Sequence, residues 1–311
     1  MASGGPLRIG TRGSPLALAQ TRLVRDKLIA AHPGMTDADV TIEVFKTRGD
    51  RITDRKLLEI GGKGLFTEEL EEALRVGTLD MAVHSMKDMP TRLPDGLDIA
   101  CLLERADPRD VLIARRGRSI AALKKGAVVG TASLRREAQL RHARPDLKIV
   151  TFRGNVGTRL KKLAAGEADA TLLALAGLER LGMADSASAI LSVDEMMPAP
   201  AQGAIGVECR ADDSRTRDLL ASLNHAPTAR CLAAERALLD GLDGSCRTPI
   251  AAIATLEGDG LLLKARLLSP DGAKMFAAER RGAADDGAKL GRNAAEELRA
   301  AAGPGFIASL E

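Results

Sequence analysis

The chain of 311 residues contains no tryptophan, no tyrosine and only five phenylalanines. Its cores are therefore expected to be aliphatic, and the stacking platforms that hold single-stranded nucleic acids are nearly missing. Charge of one sign is lacking as well. Forty-five Lys plus Arg stand against 42 Asp plus Glu, and a net charge of +3 provides no global field for a polyanion or a membrane surface. The four cysteines, Cys101, Cys209, Cys231 and Cys246, show no C-x-x-C spacing and no nearby pair of histidines, so neither a structural zinc site nor a disulfide framework is indicated. No apolar run is long enough to cross a bilayer, and the opening MASGGPLRIG lacks the charged and apolar regions of a signal peptide. A cytosolic protein is expected, with neither nucleic acid nor membrane as partner.

What is present is a set of strand-to-helix turns, each delivering a cation. They are IGTRGSPLALAQ (9–20), AVHSMKDMP (82–90), GTASLRRE (130–137) and TFRGNVGTRL (151–160). Each passes from an apolar stretch through Gly, Ser, Thr or Asn into a helix-like segment, so free backbone N–H groups and a cationic side chain point the same way. Turns of this kind bind anions. A ligand met by several of them carries several carboxylates or phosphates, and a lone loop cysteine, Cys246, adds a nucleophile or covalent tether.

A chain of this length exceeds what one core usually supports, and two or three domains are expected. Through the first two hundred residues strand-like runs alternate with helical periodicity, the pattern of open α/β sheets. Strands are expected at Leu7–Thr11, Val40–Phe45, Met81–His84 and Leu97–Leu102, with Ser14 capping a helix that Pro15 opens. The polar segment from Lys46 to Gly64 reads as a mobile loop, and Thr67 as the cap of the next helix. ERADPRD (104–110) reads as a domain crossing, after which a second α/β unit has strands at Val111–Ala114, Val128–Thr131, Lys148–Phe152 and Ala170–Ala174. Gly-Thr-x-x-Ser (10–14) and Gly-Thr-x-Ser (130–133) echo each other weakly, suggesting two similar lobes. PAPAQGAIGVECR (198–210) reads as a return to the first lobe. Beyond it, a helix from Thr228 to Leu239, strands at Ile250–Leu256, Leu261–Leu268 and Met275–Arg281 and a last helix make a small α+β domain.

Cys246 lies in GLDGSCRTPI, between helix and strand, where Gly244 allows a tight backbone and Arg247 favours the thiolate. A half-buried structural cysteine is the plain alternative. Asp88 follows Lys87 at the mouth of the first lobe, where neighbouring cations would keep it ionised; it is either a salt-bridge partner or the one anion that stabilises a developing cation. Arg135, Arg136, Arg153 and Arg159 form the densest cation group, and Gly154-Asn155 is a turn with exposed backbone donors. His84 ends a strand beside Ser85 and either lines the cleft or is a satisfied structural histidine.

The ordered set SMKD, GTASLRR, RGNVGTRL, ALAGLERLG, AQGAIGVEC and the loop of Cys246 resembles the hydroxymethylbilane synthase (porphobilinogen deaminase) family, in sequence from Arg8 to the final helix. The resemblance implies an α/β fold of two similar doubly wound lobes like those of type II periplasmic binding proteins, plus a small C-terminal α+β domain. The implied bounds are 1–104 with 203–224, 105–202, and 225–311. It implies a monomeric transferase of tetrapyrrole and heme synthesis whose dipyrromethane cofactor is held by a thioether to Cys246. Four porphobilinogen molecules would be added head to tail with loss of ammonia, and water would release hydroxymethylbilane. Asp88 would contact the pyrrole nitrogens, assist proton transfer and stabilise an azafulvene-like cation. Acetate and propionate groups would be bound by Arg12, Ser14, Lys87, Thr131, Ser133, Arg135, Arg136, Arg153, Arg159 and Arg180, with Lys63, Ser85, Gly154, Asn155 and Gln202 in the same set. The sequence departs from the family at Glu59, four residues before Lys63, and in Ser245-Cys246-Arg247. A two-lobed small-anion binding or ligand-sensing protein is the rival reading, and it has no use for the cysteine loop.

Overall fold

The computed structural model describes residues 5–51, 67–244 and 248–308. Along the chain run β1 (Leu7–Arg12), α1 (Pro15–Ala31), β2 (Val40–Phe45), α2 (Arg48–Arg51), α3 (Glu68–Arg75), β3 (Met81–Ser85) and β4 (Leu97–Leu102). They are followed by β5 (Asp110–Ala114), β6 (Val128–Gly130), α4 (Leu134–Ala143), β7 (Lys148–Val150), α5 (Val156–Ala164), β8 (Ala170–Ala174), α6 (Leu175–Arg180) and β9 (Ala189–Ile190). The remainder is β10 (Ile205–Arg210), α7 (Ser214–Ala221), α8 (Ala226–Gly241), β11 (Ile250–Glu257), β12 (Gly260–Leu268), β13 (Met275–Ala283), α9 (Gly287–Ala302) and α10 (Pro304–Ala308). These residues fall into two compact units. The first holds the described residues up to 105 together with 204–229, and the second holds 106–203 with 230–308.

The first unit is built on a five-stranded sheet of order β2-β1-β3-β10-β4. β1 pairs parallel with β2 and β3, whereas β10 runs antiparallel to β3 and β4. Nearly continuous apolar strands such as Met81–Val83 are buried on both faces, as a helix-covered sheet requires. On one face α1 lays its buried Val24 and Leu28 against Ile9, Met81 and Val207, and on the other α3 packs Leu70 and Leu74 against Leu79 and Ala82. α1 starts where the sequence says it does: Ser14 is extended, its Oγ accepts the Ala17 N–H at 3.2 Å, and Pro15 occupies the first turn.

The second unit repeats the plan. Its sheet has the order β7-β6-β8-β5-β9, with β6 parallel to β7 and β8 and with β5 antiparallel to β8 and β9. Gly10 pairs with Ala82 and Gly130 with Thr171, so the two Gly-Thr segments sit at equivalent ends of equivalent strands. Each leads to a serine that caps the next helix, Ser14 for α1 and Ser133 for α4. The faint echo in the sequence is thus a shared topology, and the α/β class with two similar doubly wound lobes stands.

Residues 230–308 of the second unit form an antiparallel sheet, β11-β12-β13, covered by α8 and α9 around Leu238, Leu263, Leu267 and Leu298. The buried Glu235 of α8 fastens this sheet to the crossing segment, accepting the N–H groups of Ala201 at 2.5 Å and Ala254 at 2.8 Å. Two expectations change. Residues 48–51 of the expected loop form the helical turn α2, and Thr131 and Phe152 lie just past their strands because each strand stops where the chain turns toward a helix cap. The rest of that loop, with Glu59 and Lys63, lies outside the described residues. Among the described residues no helix is long and apolar enough to cross a membrane.

Gly203 shows what the crossing demands of the sequence. Its φ of +88° and a would-be Cβ only 2.5 Å from the Ala106 carbonyl oxygen leave room for no side chain. Gly203→Ala should lower stability by about 2–3 kcal/mol, measured by urea unfolding, from backbone strain and overpacking together. Wild-type stability in that variant would show that the crossing relaxes freely.

Candidate functional site

In the first unit the C-terminal ends of β1 and β3 open onto a pocket. Arg12, the last residue of β1, and Ser14 form one side; Ser85, which ends β3, and Asp88 form another; Gln20, Thr67 and His84 line it too, with Leu16, Ala17, Val83 and Met89 as its apolar part. The SMKD turn is pegged by Met86, 2 % exposed, whose N–H donates to the Ala204 carbonyl at 3.0 Å. That anchor leaves Lys87 half-buried and Asp88 exposed. Gln20 is buried on the inner face of α1, with Nε2 2.9 Å from Ser85 Oγ. Behind the wall, His84 Nε2 lies 2.9 Å from Oε2 of the fully buried Glu208.

The second unit gathers most of the arginines. Thr131 is buried and its Oγ1 accepts the Ser133 N–H at 3.2 Å, while Ser133 Oγ in turn caps α4 by accepting the Arg136 N–H at 3.4 Å. Arg135 and Arg136 do not form a solvated face. Both guanidiniums are 5 % exposed and close on the wholly buried Asp110: Arg135 Nη2 at 2.7 Å, Arg136 Nη2 at 2.8 Å and Nε at 3.1 Å. Their other donors meet carbonyls, Arg135 Nη1 that of Met197 and Arg136 Nη1 that of Leu172, although Arg135 Nε has no partner. Gln202 donates to Asp110 Oδ1 at 2.7 Å and belongs to the same cluster. Burial opposes the charge of Asp110, but the two guanidiniums override it and hold its carboxyl well below the usual carboxylate range.

Arg153, Gly154, Asn155 and Arg159 form the second turn of this unit. Asn155 caps α5 by accepting the Thr158 N–H at 2.9 Å, and Gly154 has a φ of +116° that a side chain would strain. Arg159 Nε donates to the Gly154 carbonyl at 2.9 Å, which stiffens the turn. Arg153 carries a buried Nη1 with no hydrogen-bond partner. Arg180 Nη2 donates to the Gly203 carbonyl at 2.6 Å, and burial pulls its guanidinium below the ordinary value.

Cys246 and Lys63 lie outside the described residues. The other three cysteines are buried, with Cys101 pushed by burial up to about 12 and Cys209 up to about 11. As thiols, Cys101 and Cys209 are poor nucleophiles at neutral pH. Sequence reasoning passed over Gln20, Asp110 and Glu208. The one signal for Gln20 is an amide among the apolar residues of the α1 stripe; Asp110 and Glu208 give none, since their partners are 25 and 124 residues away.

Each unit thus offers cations, hydroxyls and helix-capping turns at one edge of a doubly wound sheet, the equipment of a carboxylate-binding α/β protein. Family comparison makes this specific. Residues 7–218 match the family model described as porphobilinogen deaminase, dipyromethane cofactor binding domain, and residues 229–300 match the porphobilinogen deaminase C-terminal domain. The chain is 58 % identical over 302 residues to a porphobilinogen deaminase of Paracoccus denitrificans, covering 97 % of this chain and 96 % of that one. It is 53 % identical over 309 residues to the chloroplastic porphobilinogen deaminase of Oryza sativa subsp. japonica, covering 98 % and 86 %. Among solved structures, the VFT2 domain of Bordetella pertussis BvgS aligns with a TM-score of 0.43 at 17 % identity, over 74 % of this chain and 91 % of that one. The chain belongs to the porphobilinogen deaminase family.

Asp110 provides a direct test of the buried cluster. Asp110→Asn leaves two buried guanidiniums facing a neutral amide and should cost about 3–5 kcal/mol in urea unfolding. Because the folded-state value of Asp110 is depressed, its contribution is complete above the unfolded carboxylate value of about 3.9 and is lost as pH falls below it. The acid slope of stability should therefore be shallower in Asp110→Asn than in wild type, and equal slopes would show that the arginines do not depend on this charge.

Proposed function

We infer that the chain carries out the reaction of its family: a transferase of tetrapyrrole synthesis that joins four porphobilinogen molecules head to tail on a dipyrromethane cofactor and releases hydroxymethylbilane with water. Each addition breaks the carbon–nitrogen bond of an aminomethyl group, forms a carbon–carbon bond and releases ammonia. The observation that carries this reading is Asp88. It is an exposed carboxylate in a pocket whose other polar lining, Arg12, Ser14, Gln20 and Ser85 among it, includes groups suited to binding carboxylates rather than supplying one. An anion retained in such a place repels the acetate and propionate groups of the ligand, and it earns its position by stabilising the cation left when ammonia departs.

The residues present fit dipyrromethane. Its side chains are carboxylates, the donors of the second unit are guanidiniums, hydroxyls and capped turns, and the buried Arg153 Nη1 is a donor that a ligand carboxylate would satisfy. When bound, dipyrromethane supplies the free pyrrole carbon from which the chain grows. We assign its attachment to Cys246, supported by the burial of Cys101, Cys209 and Cys231 and by the loop of Gly244 and Arg247. Ser133, Arg153, Asn155 and Arg159 would hold cofactor and product carboxylates, with Thr131, Gly154 and Arg180 shaping the turns. Arg135, Arg136 and Gln202 would act from within the cluster of Asp110. Arg12, Ser14, Ser85 and Lys87 would bind the incoming pyrrole beside Asp88, and Lys63 would add a cation from its loop.

The domain bounds given above, a monomeric state and a cytosolic location belong to the same reading. Of the bounds, the two-unit division supports the separation of the first lobe, 1–104 with 203–224, from the rest of the chain.

Mass spectrometry of the intact protein followed by peptide mapping separates this function from that of a small-anion binder. A two-pyrrole adduct on the Cys246 peptide is expected; active enzyme with Cys246 unmodified would overturn the assignment. Asp88→Asn preserves shape and removes the charge, so kcat should fall at least about 100-fold with a smaller change in KM and with the adduct retained. Turnover near the wild-type rate would return Asp88 to a structural role.

A further inference from the structure

Among the described residues, two that are not glycine have positive φ, Asp243 at +49° and Ala201 at +61°. An aspartate side chain can bond to nearby backbone and so tolerates this region, whereas alanine has no such compensation. Ala201 lies in the crossing segment of the second unit. There the Gln202 N–H donates to the Ala199 carbonyl at 3.0 Å and closes a four-residue turn, Ala199-Pro200-Ala201-Gln202. Proline in its second place and positive φ in its third make this a type II turn, which calls for glycine or asparagine where Ala201 stands. Alanine favours type I instead, reached by flipping the Pro200–Ala201 peptide, and a left-handed alanine is disfavoured about 5- to 30-fold. The flip is opposed by Glu235. Its Oε2, wholly buried, accepts the Ala201 N–H at 2.5 Å. Because a trans peptide carries its carbonyl opposite its N–H, the flip would turn the Pro200 carbonyl toward that carboxylate. Glu235 is itself held, since Oε1 accepts the Ala254 N–H of β11 at 2.8 Å, and beside it the Ala252 N–H donates to the Pro198 carbonyl at 3.0 Å.

We propose that Glu235 is a positioning residue: it imposes the type II turn on Ala201 and thereby sets the next residue, Gln202, against Asp110. Gln202 is buried, and its Nε2 donates to the Pro108 carbonyl and to Asp110 Oδ1, both at 2.7 Å. Asp110 in turn holds Arg135 and Arg136 at the start of α4. Glu235 thus ties the arginine cluster to α8, the helix that precedes the loop of Cys246. The consequence for turnover rests on the deaminase reading. In that reading the cofactor is tethered just beyond α8 while its carboxylates are held from the α4 and α5 turns, so Glu235 keeps tether and anion sites in register. A flipped turn loosens that register and lowers kcat; KM, set by Arg12, Ser14, Ser85 and Lys87 of the first unit, stays.

The test sets Glu235→Met and the double variant Glu235→Met/Ala201→Gly beside wild type, each as cofactor-loaded enzyme. Methionine fills a similar volume but accepts neither N–H, so kcat should fall about 10-fold or more with KM within about 2-fold. Glycine takes positive φ freely, and in the double variant it should bring kcat back to within about 3-fold of wild type although the lost hydrogen bonds stay lost. A residue that only stabilises the fold would lower the unfolding midpoint and leave kcat per folded molecule unchanged, or it would lower kcat with no rescue by glycine. Either result overturns the proposal. NMR keeps the question decidable should Glu235→Met not fold. In wild type the Ala201 amide proton should lie far downfield and exchange slowly, bound to a buried carboxylate, and the two Nε2 protons of Gln202 should be distinct and protected. In Glu235→Gln, which exchanges the carboxylate for a neutral amide of the same shape, the Ala201 proton should move upfield and the Gln202 pair should shift with it. An Ala201 amide at an ordinary position, or Gln202 protons indifferent to the substitution, overturns the proposal as well. A wild-type protein that does not convert porphobilinogen overturns the functional reading instead, and the NMR measurements, which need no turnover, then decide this one alone.

Discussion

One buried carboxylate organises the second unit. Asp110 opens β5, the strand inserted antiparallel in the sheet, and from there it holds the guanidiniums of Arg135 and Arg136 and the amide of Gln202. Two cations against one anion leave an excess positive charge where water is excluded. Burial of this kind is tolerable only when nearly every donor finds an acceptor, and the carbonyls of Met197 and Leu172 supply the remainder. The consequence reaches beyond stability. α4, β5 and the crossing that carries Gln202 are fixed to one point, so the capping turn of Ser133 is held rigidly, and a rigid donor loses little entropy when a ligand binds.

The first unit reaches a comparable end by other means. Its SMKD turn is located by Met86 in an apolar seat and by one backbone hydrogen bond to Ala204, so Asp88 projects from a short turn whose direction is set underneath. The register position matching Asp110, which pairs with the last residue of β8, is the apolar Ile205, which pairs with Ser85 at the end of β3. Equivalent sheets thus carry different electrostatics. The second is a buried cluster of two guanidiniums about one carboxylate, and the first is a pocket lined by Arg12 with an exposed carboxylate, Asp88. That division suits one protein that must both hold several carboxylates and manage a cation formed during reaction.

The sequence by itself determined the class, the order of elements and most of their limits. Val40–Phe45, Leu97–Leu102 and Ala170–Ala174 stand as read, Ser14 caps its helix, and the faint match between residues 10–14 and 130–133 marks equivalent places in two sheets. These features are local: apolar periodicity, a capping hydroxyl and a proline at a first turn act within a few residues. Tertiary structure alone decided what the arginines do. Arg135 and Arg136 read as free cations on a helix, yet their partner lies on a strand 25 residues earlier, and His84 meets Glu208 across 124 residues. Strands β5 and β10 enter their sheets antiparallel, from segments outside the local alternation, and each brings a buried carboxylate. No local pattern announces such a pairing, because it follows from which strand lies beside which, and that is fixed only when the whole sheet has formed.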